Sequence, residues 1–230
     1  MKLSVIIACF NEKTTILKAI EEAKALQVDK EIIVIDNCST DGTRDILASL
    51  KDKALRIVLQ PENFGVGKSM QVGYQLASGE YCYFPCADLE YTMADVYEMI
   101  KKLERENLDA VFGSRLLDKK HISKISLIKQ RPFWLGSIIA TFLINKFYRR
   151  NFSDVIAPKL IKASIIKNLG CVSSGQAFEF ELASRLCKKG FKIAECPIQY
   201  RPRTHKQGKT IKIFDMLPAL WVIVKVKLLG

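Results

Sequence analysis

Acidic and amide side chains recur in this sequence directly after short apolar runs. In the first half of the chain they form four groups: Asn11-Glu12, Asp36-Asn37, Gln60-Pro61-Glu62-Asn63 and Asp88-Leu89-Glu90. Such side chains accept hydrogen bonds from hydroxyl and amide groups, and carboxylates are the hard oxygen ligands that Mg²⁺ and Mn²⁺ prefer. If the four groups meet in the fold, they can hold a polar ligand together with a divalent cation.

The elements that position these groups alternate along the first half of the chain. Continuous apolar runs predict buried strands at 3–9, 31–35, 54–59, 81–84 and 110–112. Apolar residues at helical spacing predict helices at 14–26, 41–50, 65–77 and 93–106. Strands that alternate with helices form a mainly parallel sheet through right-handed crossovers, so the predicted fold is a doubly wound α/β domain.

In such a sheet, ligands bind beyond the carboxyl ends of the strands. The four polar groups each follow a predicted strand, and we therefore expect them to converge at this edge. The glycine fingerprint of dinucleotide-binding domains is missing after the first strand, as is a Walker loop. The sequence therefore supports neither NAD binding nor ordinary ATPase activity.

The second half of the chain is less regular. Apolar patterning predicts helices at 133–148 and 178–188, a strand at 192–197, and a final apolar segment that contains lysines. The stretches 133–148 and 218–229 are shorter than the roughly 20 apolar residues that cross a bilayer. We expect interfacial helices on a membrane surface, while a dimer interface or a place in the core would explain these stretches equally well.

Composition narrows the choice of partner and compartment. The chain has 36 Lys plus Arg against 24 Asp plus Glu, a formal net charge of +12, and its basic residues are interleaved with large apolar ones. This pattern favours an anionic membrane surface over nucleic acid. The seven cysteines are scattered without a CxxC pair, which favours a reducing compartment. No signal peptide or transmembrane helix is predicted, so we expect a cytoplasmic protein, peripheral on the cytoplasmic face of the membrane.

Several motifs together resemble family 2 glycosyltransferases. Ala8-Cys9-Phe10-Asn11-Glu12 is similar to the family's P-T-Y-N-E opening, and residues 31–43 are similar to its E-I-I-V-V-D-D-G-S-T-D-G-T stretch. Asn63-Phe64-Gly65 resembles the N-x-G region, and Ala87-Asp88 resembles the end of the D-x-D metal motif. In the C-terminal half, Phe178-Glu179-Phe180-Glu181 and Tyr200-Arg201-Pro202-Arg203-Thr204 are similar to the branch that makes polyprenyl-phosphate sugars.

The resemblance implies a nucleotide-diphospho-sugar transferase fold of the GT-A, Rossmann-like type. Residues 1–210 would form one domain, with a nucleotide-sugar half at 1–115 and an acceptor half at 116–210, and 211–230 would be a C-terminal amphipathic membrane-surface segment. The implied reaction is inverting transfer of a hexose from a UDP- or GDP-hexose to polyprenyl phosphate. Since that phosphate is already an anionic nucleophile, the reaction needs no general base.

The resemblance also implies the site residues. Nucleotide-sugar contacts are expected at Ala8, Phe10, Glu12, Asp36, Asn63, Lys68, Ala87 and Asp88. Asp88 with Glu90 would hold Mg²⁺ or Mn²⁺, and the expected catalytic residues are Asp88, Arg115 and Arg131, because a guanidinium fork suits phosphate oxygens. The acceptor phosphate is expected at Arg131, Arg203 and Lys209.

Two departures from the family pattern leave alternatives open. Cys86 stands where the family has the first aspartate of D-x-D, so we expect weakened metal binding. Ala157-Pro158 replaces the threonine and glycine of an acceptor-side motif. One alternative is transfer to a saccharide hydroxyl, which needs a general base, for which the candidates are Glu90, Glu179 and Glu181. The other is a noncatalytic protein that binds nucleotide sugars.

Overall fold

A seven-stranded sheet with helices on both faces forms the frame of the computed structural model, which describes residues 1–117, 134–203 and 216–229. The strands are β1 Leu3–Cys9, β2 Lys30–Asp36, β3 Leu55–Leu59, β4 Tyr81–Phe84, β5 Ala110–Ser114, β6 Lys159–Lys162 and β7 Ile193–Pro197. Their spatial order is β3-β2-β1-β4-β6-β5-β7. Only β6 runs antiparallel to its neighbours β4 and β5, so the predicted mainly parallel α/β fold is confirmed for the described residues.

The helices follow the strands closely in the first half of the chain. They are α1 Ile16–Ala25, α2 Thr43–Ser49, α3 Val66–Leu76, α4 Val96–Arg105, α5 Trp134–Tyr148, α6 Ala163–Lys167, α7 Ala177–Lys188 and α8 Met216–Leu229. A single 3₁₀ turn, Met93–Asp95, precedes α4. The predicted helices are confirmed to within a few residues at each end, which is the usual uncertainty of helix boundaries.

Alternating side chains of the central strands fill the two layers of the core. Ile6 and Ile33 point to the layer that contains α3, α5, α7 and α8. Val5 and Val34 point to the opposite layer, which contains α1, α2 and α4. Because both faces of β1 and β2 are buried, these strands read as continuous apolar runs in the sequence.

The helices α5 and α8 are mostly apolar, and each buries one side in the core. Ile144 of α5 and Ile223 of α8 have no exposed surface and belong to the core layer of α3 and α7. On the outer faces, Phe142 is 60% exposed and Trp221 is 66% exposed. Within the described residues, no helix is long and apolar enough to cross a membrane. The inner faces thus match the predicted place in the core, and membrane contact by the outer faces remains a prediction.

Strand β6 and helix α6 were not predicted from the sequence. The strand reads Lys159-Leu160-Ile161-Lys162, and its terminal lysines hide its buried position. Lys159 is only 1% exposed because its ammonium group pairs with Glu179 of α7. A local pattern cannot reveal a charge that is neutralised by a residue from another element.

Candidate active site

The loops after β1 and β2 are joined by hydrogen bonds between side chains and backbone. Asn11, whose φ of 57° is left-handed, accepts a bond from the N–H of Thr40 (2.8 Å) and donates its own N–H to Ser39 Oγ (2.9 Å). The N–H of Glu12 donates to Thr43 Oγ1 (2.9 Å). Asparagine tolerates left-handed backbone better than most residues. The expected convergence of the first two polar groups is confirmed, and Glu12 is held at the carboxyl end of the sheet.

Asp36 is completely buried at the end of β2. Its carboxylate accepts a bond from the N–H of Ser39 (3.2 Å) and pairs with Arg44, whose Nη1 lies 3.2 Å from Oδ2. Arg44 also donates to the backbone carbonyl of Gln60 (2.7 Å). Asp36 therefore ties the ends of β2 and β3 to α2. In addition to this structural role, contact between Asp36 and a nucleotide base remains a prediction.

The loop after β3 reaches the same edge through an amide pair. Asn37 Nδ2 donates to Asn63 Oδ1 (2.8 Å). Gly65, just before α3, has a φ of 86°, and a Cβ there would lie 2.5 Å from the carbonyl oxygen of Ser174, so this position requires glycine. The N–H of Lys68 donates to the same carbonyl (3.0 Å), and its side chain is exposed in the first turn of α3.

Small side chains connect the ends of β1 and β4. Ala8 and Cys86 form a parallel bridge that continues the pairing of the two strands, and Ala87 is buried. Burial, together with the charge of Asp88, raises the pKa of Cys86 well above its usual value, so the thiol is neutral. Phe10, which follows β1, is 43% exposed, and an exposed aromatic ring can stack on a planar ligand.

The segment 198–203, here called the arm, crosses the loop that follows β4. Tyr200 of the arm forms an antiparallel bridge with Tyr91, and the two rings lie 5.3 Å apart between centroids. The N–H of Arg201 donates to the backbone carbonyl of Glu90 (2.7 Å). These contacts fix the arm beside the polar residues that follow β4.

Arg203, at the end of the arm, contacts three carboxylates, here called the acidic cluster: Glu12 and Asp88 through its guanidinium and Glu90 through its backbone N–H. Its Nη1 and Nη2 donate to the two oxygens of Glu12 at 2.9 and 2.5 Å, and Nη2 lies 3.7 Å from Asp88 Oδ2. Its backbone N–H donates to Glu90 Oε1 (2.8 Å). Burial would lower the pKa of Arg203, but the hydrogen bonds and charge of Glu12 raise it above its usual value. Burial, reinforced by the Glu90 charge, raises the pKa of Asp88.

The ligand chemistry of the acidic cluster suits a divalent cation. Carboxylate oxygens are suitable ligands for Mg²⁺ and Mn²⁺, whereas the neutral thiol of Cys86 is too soft. Asp88 Oδ1 already accepts a bond from the N–H of Glu90 (3.0 Å), and Oδ2 faces the guanidinium. Within residues 1–117, 134–203 and 216–229, no three His, Cys, Asp or Glu side chains are arranged to hold a metal ion. Asp88 and Glu90 could therefore bind a cation only with further ligands from bound phosphates and water.

Arg115, which follows β5, is engaged by Asp154. Its Nε and Nη2 donate to the two Asp154 oxygens at 2.5 and 2.9 Å, and the side chains are only 7% and 3% exposed. The guanidinium also lies 5.3 Å from the centre of the Tyr200 ring. Because Asp154 takes the Nε and Nη2 side of the guanidinium, the phosphate contact predicted for Arg115 would have to come from Nη1 and the second N–H of Nη2.

The three candidate general bases also have bonding partners. Glu179, in the first turn of α7, pairs with the buried Lys159. Glu181 is 1% exposed and accepts bonds from two backbone N–H groups and from Arg185 Nε (2.7 Å). Glu90 accepts the backbone bond from the arm. None of the three therefore presents a carboxylate without a donor already bonded to it.

The structure thus brings together Glu12, Asp88, Glu90 and Arg203 from the predicted site residues. The family resemblance implies an acceptor-side place for Arg203, and nothing in the sequence indicates its contact with Glu12, which is 191 positions away. Two further predicted residues, Arg131 and Lys209, lie outside the described residues.

Comparison with known families decides the assignment. Residues 4–170, which span all the strands from β1 to β6, match the profile of Glycosyl transferase family 2. The chain belongs to this family. The resemblance seen in the sequence is confirmed, and the protein is a glycosyltransferase.

Three relatives extend over most of the chain. An uncharacterized protein of Methanocaldococcus jannaschii is 30% identical over 223 residues, which cover 92% of this chain and 94% of the relative. The low-salt glycan biosynthesis hexosyltransferase Agl6 of Haloferax volcanii is 26% identical over 87% of this chain and 48% of its own length. The dodecaprenyl-phosphate galacturonate synthase of Rhizobium johnstonii is 27% identical over 91% of this chain and 62% of its own length. The chain therefore spans about half to two thirds of these two named enzymes.

Solved structures share the fold. Glucosyl-3-phosphoglycerate synthase from Mycobacterium tuberculosis, in complex with Mn²⁺, UDP-glucose and phosphoglyceric acid, superposes with a TM-score of 0.67 at 16% identity, covering 97% of this chain and 80% of that one. TarS from S. aureus in complex with UDP-GlcNAc gives a TM-score of 0.62 at 16% identity, covering 98% of this chain and 67% of that one. The predicted GT-A fold is confirmed by these likenesses.

Proposed function

We propose that this glycosyltransferase moves a hexose, with inversion, from a nucleotide-diphospho-sugar to polyprenyl phosphate at a membrane surface. The observation that carries the proposal is the acidic cluster at the carboxyl ends of β1 and β4, with the guanidinium of Arg203 bonded to it. Ligands of doubly wound sheets bind at this edge. The synthase from Rhizobium johnstonii, which its name links to dodecaprenyl phosphate, supports the choice of acceptor.

In this proposal the donor is a UDP- or GDP-hexose that lies across the ends of the first strands. The exposed ring of Phe10 stacks on the base, Glu12 accepts hydrogen bonds from ribose hydroxyls, and Lys68 reaches the diphosphate. Mg²⁺ or Mn²⁺ bound by Asp88 and Glu90 would supply positive charge to the leaving diphosphate. The Mn²⁺ in the glucosyl-3-phosphoglycerate synthase complex supports this use of a cation.

The engaged carboxylates favour a phosphate acceptor over a saccharide hydroxyl. A hydroxyl must lose its proton to a general base, yet Glu179 already bonds Lys159 and Glu181 already bonds Arg185. Polyprenyl phosphate needs no such base, and catalysis then consists of positioning and charge stabilisation. The guanidinium of Arg203 lies beside Glu12 and Asp88, which we propose bind the donor. Arg131 and Lys209 complete the proposed acceptor site.

The outer faces of α5 and α8 support a peripheral position on the membrane. Phe142 and Trp221 are largely exposed, and Lys225 and Lys227 lie exposed on α8. Exposed aromatic residues next to lysines are typical of interfacial helices on anionic lipid. All seven cysteines are free, which supports the cytoplasmic face because that compartment is reducing.

The test of the activity uses the full chain with UDP- and GDP-hexoses, a short polyprenyl phosphate and MnCl₂. We expect release of nucleoside diphosphate together with a radiolabelled, butanol-extractable glycolipid. Release that requires a saccharide instead of the lipid phosphate would overturn the acceptor assignment. Donor binding without turnover under any combination would support the noncatalytic alternative.

The test of membrane contact uses flotation with vesicles of anionic phosphatidylglycerol. The double variant Phe142→Ser/Trp221→Ser should float less than the parent. Leu17→Ser is the matched control because Leu17 is also exposed but lies on α1, in the opposite layer. Equal flotation of parent and double variant would exclude the outer faces of α5 and α8 as the membrane contact.

A further inference from the structure

We propose that the Arg203 guanidinium is an exchangeable internal cation: it occupies the acidic cluster until the donor and its divalent cation replace it, and it then turns to the acceptor phosphate. This inference rests on the proposed function and adds a coupling between the donor and acceptor sides. It predicts that a residue expected to serve the acceptor also opposes binding of the donor.

The guanidinium and the proposed donor use the same carboxylate oxygens. Both oxygens of Glu12 accept bonds from Arg203, and Asp88 Oδ2 faces its Nη2 at 3.7 Å. The remaining oxygen of Asp88 is bonded to the N–H of Glu90. A ribose hydroxyl at Glu12, or a cation at Asp88, therefore competes with the guanidinium for these oxygens.

Electrostatics also favour the exchange. The guanidinium of Arg203 lies against Glu12 and Asp88, and Glu90 bonds the backbone N–H of the same residue, so three carboxylates lie close together. An anionic diphosphate is repelled by such a cluster unless a cation comes with it. A divalent cation brings twice the charge of the guanidinium to the same oxygens. Replacement of Arg203 by a donor with its cation is therefore favourable, whereas departure of Arg203 alone leaves the carboxylates facing one another.

The backbone of the arm is fixed independently of the guanidinium. The N–H of Gln199 donates to Asp95 Oδ2 (3.0 Å), and the N–H of Arg201 donates to the carbonyl of Glu90 (2.7 Å). Rotation of the Arg203 side chain is therefore sufficient for the exchange. The displaced guanidinium remains tethered at the site, where an incoming phosphate can bind it through two parallel hydrogen bonds.

The exchange has a measurable consequence for affinity. When a binding site is blocked in most molecules, the apparent affinity of its ligand falls by the fraction that is open. Removal of the guanidinium should therefore tighten cation and donor binding, although it also removes a group needed for transfer. A residue that only binds the acceptor would leave donor-side affinity unchanged, and one that binds the donor would weaken it.

The experiment titrates Mn²⁺ alone into the full chain by calorimetry, and then UDP and GDP in the presence of Mn²⁺. We expect Arg203→Gln to bind Mn²⁺ at least about fivefold more tightly than the parent, which is the lower end of typical couplings between sites. Arg203→Lys should fall between the two because it keeps the charge and loses the bidentate geometry. Arg201→Gln is the matched control, since the exposed Arg201 joins the network through its backbone N–H.

Unchanged or weaker Mn²⁺ binding by Arg203→Gln, with a native circular dichroism spectrum, would overturn the exchange. If Arg203→Gln fails to fold, Mn²⁺ binding by Arg203→Lys that equals the parent's overturns it instead. Tighter Mn²⁺ binding without binding of either nucleotide to any variant would support the exchange and refute the proposed donor. The two proposals can thus fail separately.

Discussion

Loss of the charge on Asp154 should destabilise the protein strongly, because Asp154 is the buried partner of Arg115. The two side chains are 3% and 7% exposed, and both carboxylate oxygens are bonded to the guanidinium. Breaking a buried pair by removing one partner costs about 3–5 kcal/mol, since the remaining buried charge loses its bidentate counter-charge. For a chain of this size, 1 kcal/mol corresponds to about 2–4 °C in Tm. Asp154→Asn should therefore lower Tm by about 6–20 °C.

Thermal denaturation at pH 7, followed by circular dichroism, measures this effect. Glu98→Gln is the control, because the ion pair of Glu98 with Lys101 is largely exposed and contributes about 1 kcal/mol or less. The double variant Asp154→Asn/Arg115→Met should recover much of the lost stability, since it removes the second charge as well. A Tm of Asp154→Asn within 2 °C of the parent, or a double variant less stable than the single one, would refute the reasoning.

The pH dependence gives an independent check of the same pair. Burial alone would raise the pKa of Asp154, but the charge and hydrogen bonds of Arg115 hold it below its usual 3.8. The unfolded chain therefore binds this proton more readily than the native chain, and the contribution of Asp154 to stability is lost as the pH falls below about 4. The stability difference between parent and Asp154→Asn should shrink in that range. A difference that stays constant from pH 7 to pH 3 would contradict the assignment.

Three further predictions follow from other carboxylates, of which Asp36 is buried and Glu179 and Asp95 are half-buried. Asp36→Asn should lower stability by about 1–3 kcal/mol in urea denaturation, because it leaves bonds from Arg44 and a backbone N–H uncompensated; an unchanged midpoint would contradict this. Glu179→Gln should have a lower Tm than the double variant Lys159→Met/Glu179→Gln, because only the single variant keeps the buried ammonium group of Lys159 without its carboxylate partner Glu179. The reverse order of Tm would contradict this prediction. Burial raises the pKa of Asp95 to about 6, so its native carboxyl keeps a proton that the unfolded chain loses. Stability should fall as the pH rises from about 4 to 6, and Asp95→Asn should flatten this slope.

The parallel half of the fold could be predicted from the sequence because its signals are local. Leu3–Cys9 and Tyr81–Phe84 match the predicted strands residue for residue, since strands buried on both faces are recognisable as apolar runs. The convergence of Asn11 with the loop after β2 followed from parallel topology alone. Strand β6 escaped prediction because the charge of Lys159 is neutralised by a carboxylate 20 positions further along the chain.

The sequence predicted which residues lie at the candidate site better than it predicted which of them contact one another. Glu12, Asp88 and Glu90 were expected at this edge, and the structure places all three around Arg203, with Glu90 bonded to its backbone N–H. The pairing of Glu12 with Arg203 joins residues that lie 191 positions apart. No periodicity or spacing predicts such a contact. Any acidic residue could pair with any basic residue, and only the fold determines which two meet.

The ion pairs of Arg115 and Arg203 show how contacts that the sequence does not predict bear on function. From the sequence, Arg115 and Arg203 were expected to meet phosphate, yet in the structure each is already bonded to a carboxylate from another element. The Arg115 pair is almost fully buried, so opening it would separate two charges in the interior. The Arg203 pair is more exposed and lies beside Asp88 and Glu90, so an incoming divalent cation would meet less resistance there. Of the two arginines, Arg203 is therefore the one that we propose changes partners, and Arg115 is the one that we expect to keep its partner.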